Sequence, residues 1–397
     1  MANETPTRRR FLQTLACGAL SFTLSDATGA QSPRAPAARE MLVYVGTYTS
    51  GKSEGIYLFR LSLSSGALSL VGTTRGVVNP SYLTLDRRRR FLYAVNEVEE
   101  FAGRKSGAVS AFAVDRTTGA LRFLNQQPSL GGAPCYVSLD AAEKFLLVAN
   151  YVGGNVAVLP LRADGSLGEA SDIKQDQGSG PNRERQEGPH AHCVLPDPSG
   201  RHVYSCDLGT DRVMIYRLDA KAGKLVPNEQ PWAQVKPGAG PRHLAFHPGG
   251  RYAYVTNELD STVTAFAHDA VRGTLKEIQT VAALPADFNG ANTCADIHLS
   301  PDGKFLYCSN RGHDSISAFG VDARAGTLAP VSHTPTEGKT PRNFALDPTG
   351  ALLLVANQNS DSIVTFRRDA QTGRLTPAGQ VAEVPSPVCL KLIAPFS

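Results

Sequence analysis

Three independent counts of seven predict an all-β fold, a seven-bladed β-propeller closed by pairing of its N- and C-terminal strands. The first counted unit is an apolar strand ending in a small polar cluster. Its copies end at Thr47, Asn96, Asn150, Asp207, Asn257, Asn310 and Asn357, a period of about 50 residues. The second unit is a glycine turn two residues before a leucine, at Gly66, Gly119, Gly165, Gly223, Gly273, Gly326 and Gly373. Glycine supplies the positive φ that a tight hairpin needs. The third unit is a short strand, usually opened by proline. It occurs as Ser81–Asp86, Pro134–Asp140, His192–Pro198, Pro241–Pro248, Ala295–Pro301, Pro341–Pro348 and Pro387–Ile393.

A ~50-residue period of short strands and glycine turns fits four-stranded propeller blades. Helical repeats would carry a 3.6-residue apolar period, and the sequence has none. The third unit runs out of phase with the other two. Its last copy, Pro387–Ile393, has no strand after it. It is therefore expected to complete the blade begun by Met41–Tyr48, which removes the open edge of the ring.

The bulk numbers agree with one large β domain. The chain has 397 residues, 42% hydrophobic and 19% charged, with 37 glycines and 26 prolines for its turns. Net charge is only +4, and the one basic run, Arg87–Arg90, lies between two strand-like segments. It reads as a solvated turn, so no nucleic-acid partner is expected. No apolar stretch approaches the ~20 residues of a membrane span, so no stable membrane insertion is expected. The seven cysteines form no CxxC pair and mostly sit in apolar runs, as buried small hydrophobes do. No metal and no cofactor are expected.

The N-terminus reads as a targeting segment. Thr7-Arg8-Arg9-Arg10-Phe11-Leu12-Gln13 matches a twin-arginine signal, followed by a moderately apolar stretch to Leu24 and a small-residue region from Ala27 to Ala38. Residues 1–38 are thus assigned to a twin-arginine signal peptide and linker, and 39–397 to the propeller. The expected partner is the twin-arginine export machinery, and the expected location is the periplasm. Cys17 is too close to the start of the apolar stretch for a lipoprotein signal.

Hairpin geometry predicts which residues meet. The third unit, strand A, pairs antiparallel with the first unit, strand B, so the start of A lies beside the end of B. Pairing about the turn at Pro248-Gly249-Gly250 sets Arg242 opposite Asn257, next to Glu258. Applied to every blade, this rings the channel mouth with A-starts and B-ends. His192 and Arg242 each lie six residues before a turn proline and hold one repeat position in adjacent blades. Ser81 and Ala295 show that a bland residue fits there too. Different ionisable groups at one repeat position, where a channel admits solvent, point to a pocket. A structural salt-bridge ring is the alternative. The strand-end Asn and Asp residues are explained by local backbone bonding.

The segments Gly188-Pro189-His190-Ala191-His192, Gly240-Pro241-Arg242-His243-Leu244, Thr256-Asn257-Glu258-Leu259, Ser309-Asn310-Arg311-Gly312-His313-Asp314 and Pro341-Arg342-Asn343-Phe344 resemble those of the cofactor-free propeller lactonases. That family includes cycloisomerase-type 6-phosphogluconolactonases and carboxymuconate lactonising enzymes. The resemblance spans about residues 41–397. It implies a small-molecule lactone substrate and a catalytic set on His192, Arg242, Glu258 and Arg311, the residues already placed at the mouth. The rim adds His190, His243, Asp296, Arg342 and Asn343 as expected substrate-binding residues.

Ester hydrolysis needs an activated water, a stabilised oxyanion and a proton for the leaving alkoxide. His192 titrates nearest neutrality and is the expected base, with Glu258 as orienting group or alternative base. Arg242 and Arg311 are expected forks for the oxyanion or for a substrate anion. No GxSxG elbow marks a serine nucleophile. A muconate-type cycloisomerase, a non-catalytic periplasmic binding propeller and a protein-interaction propeller are the rival readings. Export puts a phosphorylated cytosolic substrate in doubt and favours an unphosphorylated carboxylated lactone, such as an aldarolactone.

Overall fold

The computed structural model describes residues 40–396. The twin-arginine segment, Cys17 and the 38/39 domain boundary lie outside the described residues. Seven four-stranded antiparallel sheets form the blades, joined by one small hairpin, Glu100–Phe101 with Arg104–Lys105. The described residues contain no helix long and apolar enough to cross a membrane.

Each blade runs from the third sequence unit outward. Strand A, Pro241–Phe246 in one blade, pairs with strand B, Tyr252–Asn257, and then Thr262–Asp269 and Thr274–Ala282 follow. The seven A strands touch one another in a closed cyclic order, so they form the inner wall. B strands such as Leu352–Asn357 are buried at every residue, which is why they read as unbroken apolar runs. Outer strands such as Leu375–Glu383 alternate exposed and half-buried residues along most of their length.

The first two sequence units are coupled across blade boundaries. Tyr44, Tyr93, Tyr254 and Tyr307, all on B strands, donate hydrogen bonds to the carbonyls of Gly119, Gly165, Gly326 and Gly373 at 2.6, 3.1, 3.1 and 2.9 Å. The acceptor is each time the turn glycine of the next blade. Gly326 has φ +73, and a Cβ there would meet the Tyr252 ring at 2.3 Å. Only glycine satisfies both demands.

One correction concerns register at the strand start, and the rest of the hairpin pairs as expected. Pro241, not Arg242, pairs with Asn257, and His243 pairs with Thr256, leaving Arg242 as the extra residue of a β-bulge. The same irregularity leaves out Cys135, His192, Arg342 and Val388 in other blades, and Ala295 with Asp296 in a sixth. Counting back from a turn assumes a regular ladder, and a bulge adds one residue to one strand only.

Closure follows the expected pairing: Glu40–Thr47 runs antiparallel to Pro387–Ile393, from Leu42 opposite Ile393 to Thr47 opposite Pro387. The basic run adds to it. Arg89 donates to the carbonyls of Ala394 and Pro395 at 2.6 and 3.2 Å and lies over the Phe396 ring. Deleting residues 386–397 is expected to abolish cooperative folding, because it removes one inner strand and opens the ring. A truncated chain with the full-length melting temperature would contradict this.

Candidate active site

The bulges sort the inner wall into two tiers. Residues at the bulge are Cys135, His192, Arg242, Ala295, Arg342 and Val388, with Ser81 at the matching motif position. The next residues inward are Tyr136, Cys193, His243, Asp296, Asn343, Cys389 and Tyr82. Residues at or just past the ends of the B strands, Glu97, Tyr151, Glu258 and Arg311, face the first tier. Some of them enclose a cavity of about 290 Å³, lined by Glu97, Cys135, Tyr151, Arg185, His192, Glu258, Thr293, Arg311 and Arg342; Arg242 does not line it. A narrow recess shares Glu97, Cys135 and Arg342 with it and reaches Arg242, His243 and Asn343. A larger cleft of about 650 Å³, beside the outer strand Leu68–Arg75, shares no residue with this cavity.

Glu258 is the electrostatic centre. Its Oε2 lies 3.0 Å from Arg242 Nε and 2.9 Å from Arg311 Nη2, and its Oε1 accepts from Arg185 Nη2 at 2.6 Å. Burial alone would raise its pKa, but Arg311, Arg242 and Arg185 outweigh that and hold it at about 2. The Arg242 contact is close, yet its Nε–H does not aim at the carboxylate as a hydrogen bond, so it is an ion pair without that alignment. Arg242 Nη1 instead donates to the Ala295 carbonyl at 2.6 Å and to His243 Nε2 at 3.2 Å. Burial, only partly offset by Glu258, lowers the Arg311 pKa to about 10.

His192 is buried and neutral. Burial first, then Arg242, His243 and Arg342, push its pKa well below the usual histidine value. Its Nδ1 lies 3.6 Å from Cys135 Sγ, and among the described residues its Nε2 has no hydrogen-bond partner.

The sequence-predicted substrate-binding residues divide. Arg342 lines the cavity, makes no ion pair among the described residues, and lies over the Tyr48 ring at 5.3 Å. His243, Asp296 and Asn343 form the second tier and bind one another. Asp296 accepts from His243 Nδ1 at 2.8 Å, from His298 Nε2 at 2.9 Å and from Asn343 Nδ2. Asn343 Oδ1 accepts from the Leu390 amide at 2.7 Å. His190 does not line the cavity; it contacts the Tyr151 carbonyl at 3.0 Å and Glu187 at 3.1 Å and stacks on the Tyr151 ring.

The sequence reading gave no role to several cavity residues, Glu97 and Tyr151 among the predicted rim strand ends and Arg185 outside them. Arg185 sits in a connection that belongs to no repeat unit, so no periodicity marks it. Glu97 follows a strand-end asparagine, as Glu258 does, but lies in no quoted motif. Tyr48 donates to both Glu97 carboxylate oxygens at 2.9 Å, and Ser81 donates to Oε2. The signal for Glu97 was its repeat position.

The family model described as "Lactonase, 7-bladed beta-propeller" matches residues 42–392. The 6-phosphogluconolactonase of Bacillus subtilis is 42% identical over 301 residues, 76% of this chain and 83% of that protein. A crystal structure of a putative 6-phosphogluconolactonase from Bacteroides fragilis matches with TM-score 0.84 and 42% identity, covering 89% of this chain and 98% of that one. The structure of a periplasmic gluconolactonase from Pseudomonas aeruginosa matches with TM-score 0.85 and 38% identity, covering 90% and 99%. With the propeller architecture, these matches establish that the chain belongs to the seven-bladed β-propeller lactonase family.

Proposed function

We propose that the protein hydrolyses a sugar-acid lactone at this mouth, with His192 as base and the surrounding arginines holding negative charge. The observation that carries the reading is a neutral histidine with a free ring nitrogen, in an open cavity where cations exceed anions. The names of the Bacillus and Pseudomonas relatives support the reaction class.

The Cys135 thiol donates to the His192 carbonyl at 3.5 Å, leaving its sulfur to accept from Nδ1–H. The ring proton then sits on Nδ1 and the lone pair on Nε2. Water adds to the lactone carbonyl carbon and gives its proton to Nε2. The bond from that carbon to the ring oxygen breaks, and the imidazolium returns the proton to the departing oxygen. Burial and Arg242 disfavour the imidazolium, so it gives up the proton readily. Arg342, free of any ion pair among the described residues, faces the developing oxyanion. Glu258 is too weak a base at about 2 and serves to hold Arg242 and Arg311.

The substrate class follows from charge and address. Arg185, Arg242, Arg311 and Arg342 face two carboxylates, Glu97 and Glu258, so the resting site has an excess of positive charge. An anionic lactone balances it. The match of Thr7–Gln13 to a twin-arginine motif and the periplasmic Pseudomonas relative support export, where a carboxylated, unphosphorylated lactone fits.

A lactone panel on the purified protein tests the reading, and glucarolactone is expected to be hydrolysed better than gluconolactone or 6-phosphogluconolactone. On the best substrate, His192→Ala is expected to lower kcat by ~10²–10³ with the fold intact. Near-normal turnover in that variant removes His192 from the mechanism. The base must be neutral to act, and its pKa is depressed, so kcat/KM is expected to stay level through pH 6.5 and fall only at clearly lower pH. A half-maximal point at or above 6.5 contradicts the assignment. Arg8→Lys with Arg9→Lys is expected to trap the protein in the cytoplasm, and an unchanged periplasmic yield overturns the export route.

A further inference from the structure

We propose that Arg185 determines substrate specificity by binding the anionic tail, carboxylate or phosphate, of the lactone. This rests on the lactonase reading above and names a residue that neither the repeat pattern nor the family motifs mark.

Three arginines converge on Glu258, but they are not equivalent. The side chains of Arg242 and Arg311 are 2% and 12% exposed, whereas that of Arg185 is 38% exposed. One carboxylate already neutralised by two buried cations does not need a third. Arg185 commits only Nη2, to Glu258 at 2.6 Å and to the Tyr151 hydroxyl at 3.3 Å. Among the described residues, its Nε and Nη1 have no partner. A guanidinium with free N–H groups at a cavity wall is arranged to take a planar carboxylate or a phosphate.

Its position is fixed from behind. The next residue, Gln186, is fully buried and donates to the Leu208 carbonyl and to Asp211 Oδ1, both at 2.8 Å. Its own side-chain oxygen accepts from the Asn182 amide at 3.1 Å, and its carbonyl accepts from the Gly180 amide. The turn is therefore anchored to the blade while the guanidinium is held at the mouth. This arrangement keeps the ordering cost of capturing an anion low.

The test compares Arg185→Gln with the unaltered protein on glucarolactone, 6-phosphogluconolactone and neutral gluconolactone. A lost charge-assisted bond is expected to lower kcat/KM for whichever anionic lactone is the substrate by ~10–100-fold, mainly through KM. Gluconolactone is expected to change by less than ~3-fold, and Arg185→Lys to recover part of the loss. An equal loss on neutral and anionic lactones would mean that Arg185 only positions Glu258. No loss on either would mean that it does nothing at the mouth. Calorimetric binding of the product anions glucarate and 6-phosphogluconate against gluconate reads the same selectivity without turnover. A protein that hydrolyses no lactone, yet loses glucarate or 6-phosphogluconate binding on Arg185→Gln, would sink the lactonase reading and leave the anion site standing.

Discussion

Seven inner strands have to converge on one axis, and the extra residue that bends six of them is the constraint on which the site depends. A bulge adds a residue to one strand of a ladder and leaves it unpaired, with local twist increased. Its recurrence around the ring makes one backbone device present different side chains: Cys135, His192, Arg242, Ala295, Arg342 and Val388. The backbone repeats while the chemistry does not. That division holds only while the ring is closed, which the pairing of Glu40–Thr47 with Pro387–Ile393 ensures.

Electrostatics then limits what each ionisable group can do. A buried carboxylate surrounded by arginines remains ionised and gains little by taking a proton, so Glu258 is better understood as a counter-ion than as a base. Burying such a cluster is worthwhile for stability only when its geometry is well satisfied. Here the Arg242 nitrogen nearest Glu258 is imperfectly aligned, and the cluster has more positive charge than the carboxylates cancel. A structural salt-bridge ring would be expected to balance itself. The imbalance favours a site shaped for an anion over a purely structural ring.

Much of this was legible in the sequence because repetition amplifies weak signals. Seven copies of a glycine turn reveal a hairpin that one copy would not, and the tyrosine-to-glycine bonds explain why the first two units share a period. His192 and Arg242 were readable as different ionisable groups at one repeat position, and Glu258 and Arg311 as strand-end residues within the family motifs. The register was legible from the turn to His243 but not at the bulge beyond it, since a bulge changes pairing without changing composition. His190 and His192 are two residues apart in one motif, yet one packs outside the cavity wall and the other lines it. Strand alternation would set both on one face, but His190 precedes the strand Ala191–Pro196, so the alternation does not reach it. Arg185 was illegible for the opposite reason, since it lies outside every repeat.

The two tiers explain how a site with spare charge remains ordered. In the inner tier, Asp296 accepts from His243 Nδ1, which leaves His243 Nε2 as the acceptor for Arg242 Nη1. Burial and Arg242 lower the His243 pKa to about 4, so this orientation persists at neutral pH. Asn343 ties the same carboxylate to the closing strand through the Leu390 amide. Arg242 is therefore fixed by Glu258 on one side and by the Asp296–His243 pair on the other, and the latter is joined to the strand that seals the ring. Buried polar groups that satisfy one another in this way give positional precision to the groups above them. The arginines that remain less committed, Arg342 and Arg185, are those left to meet a substrate.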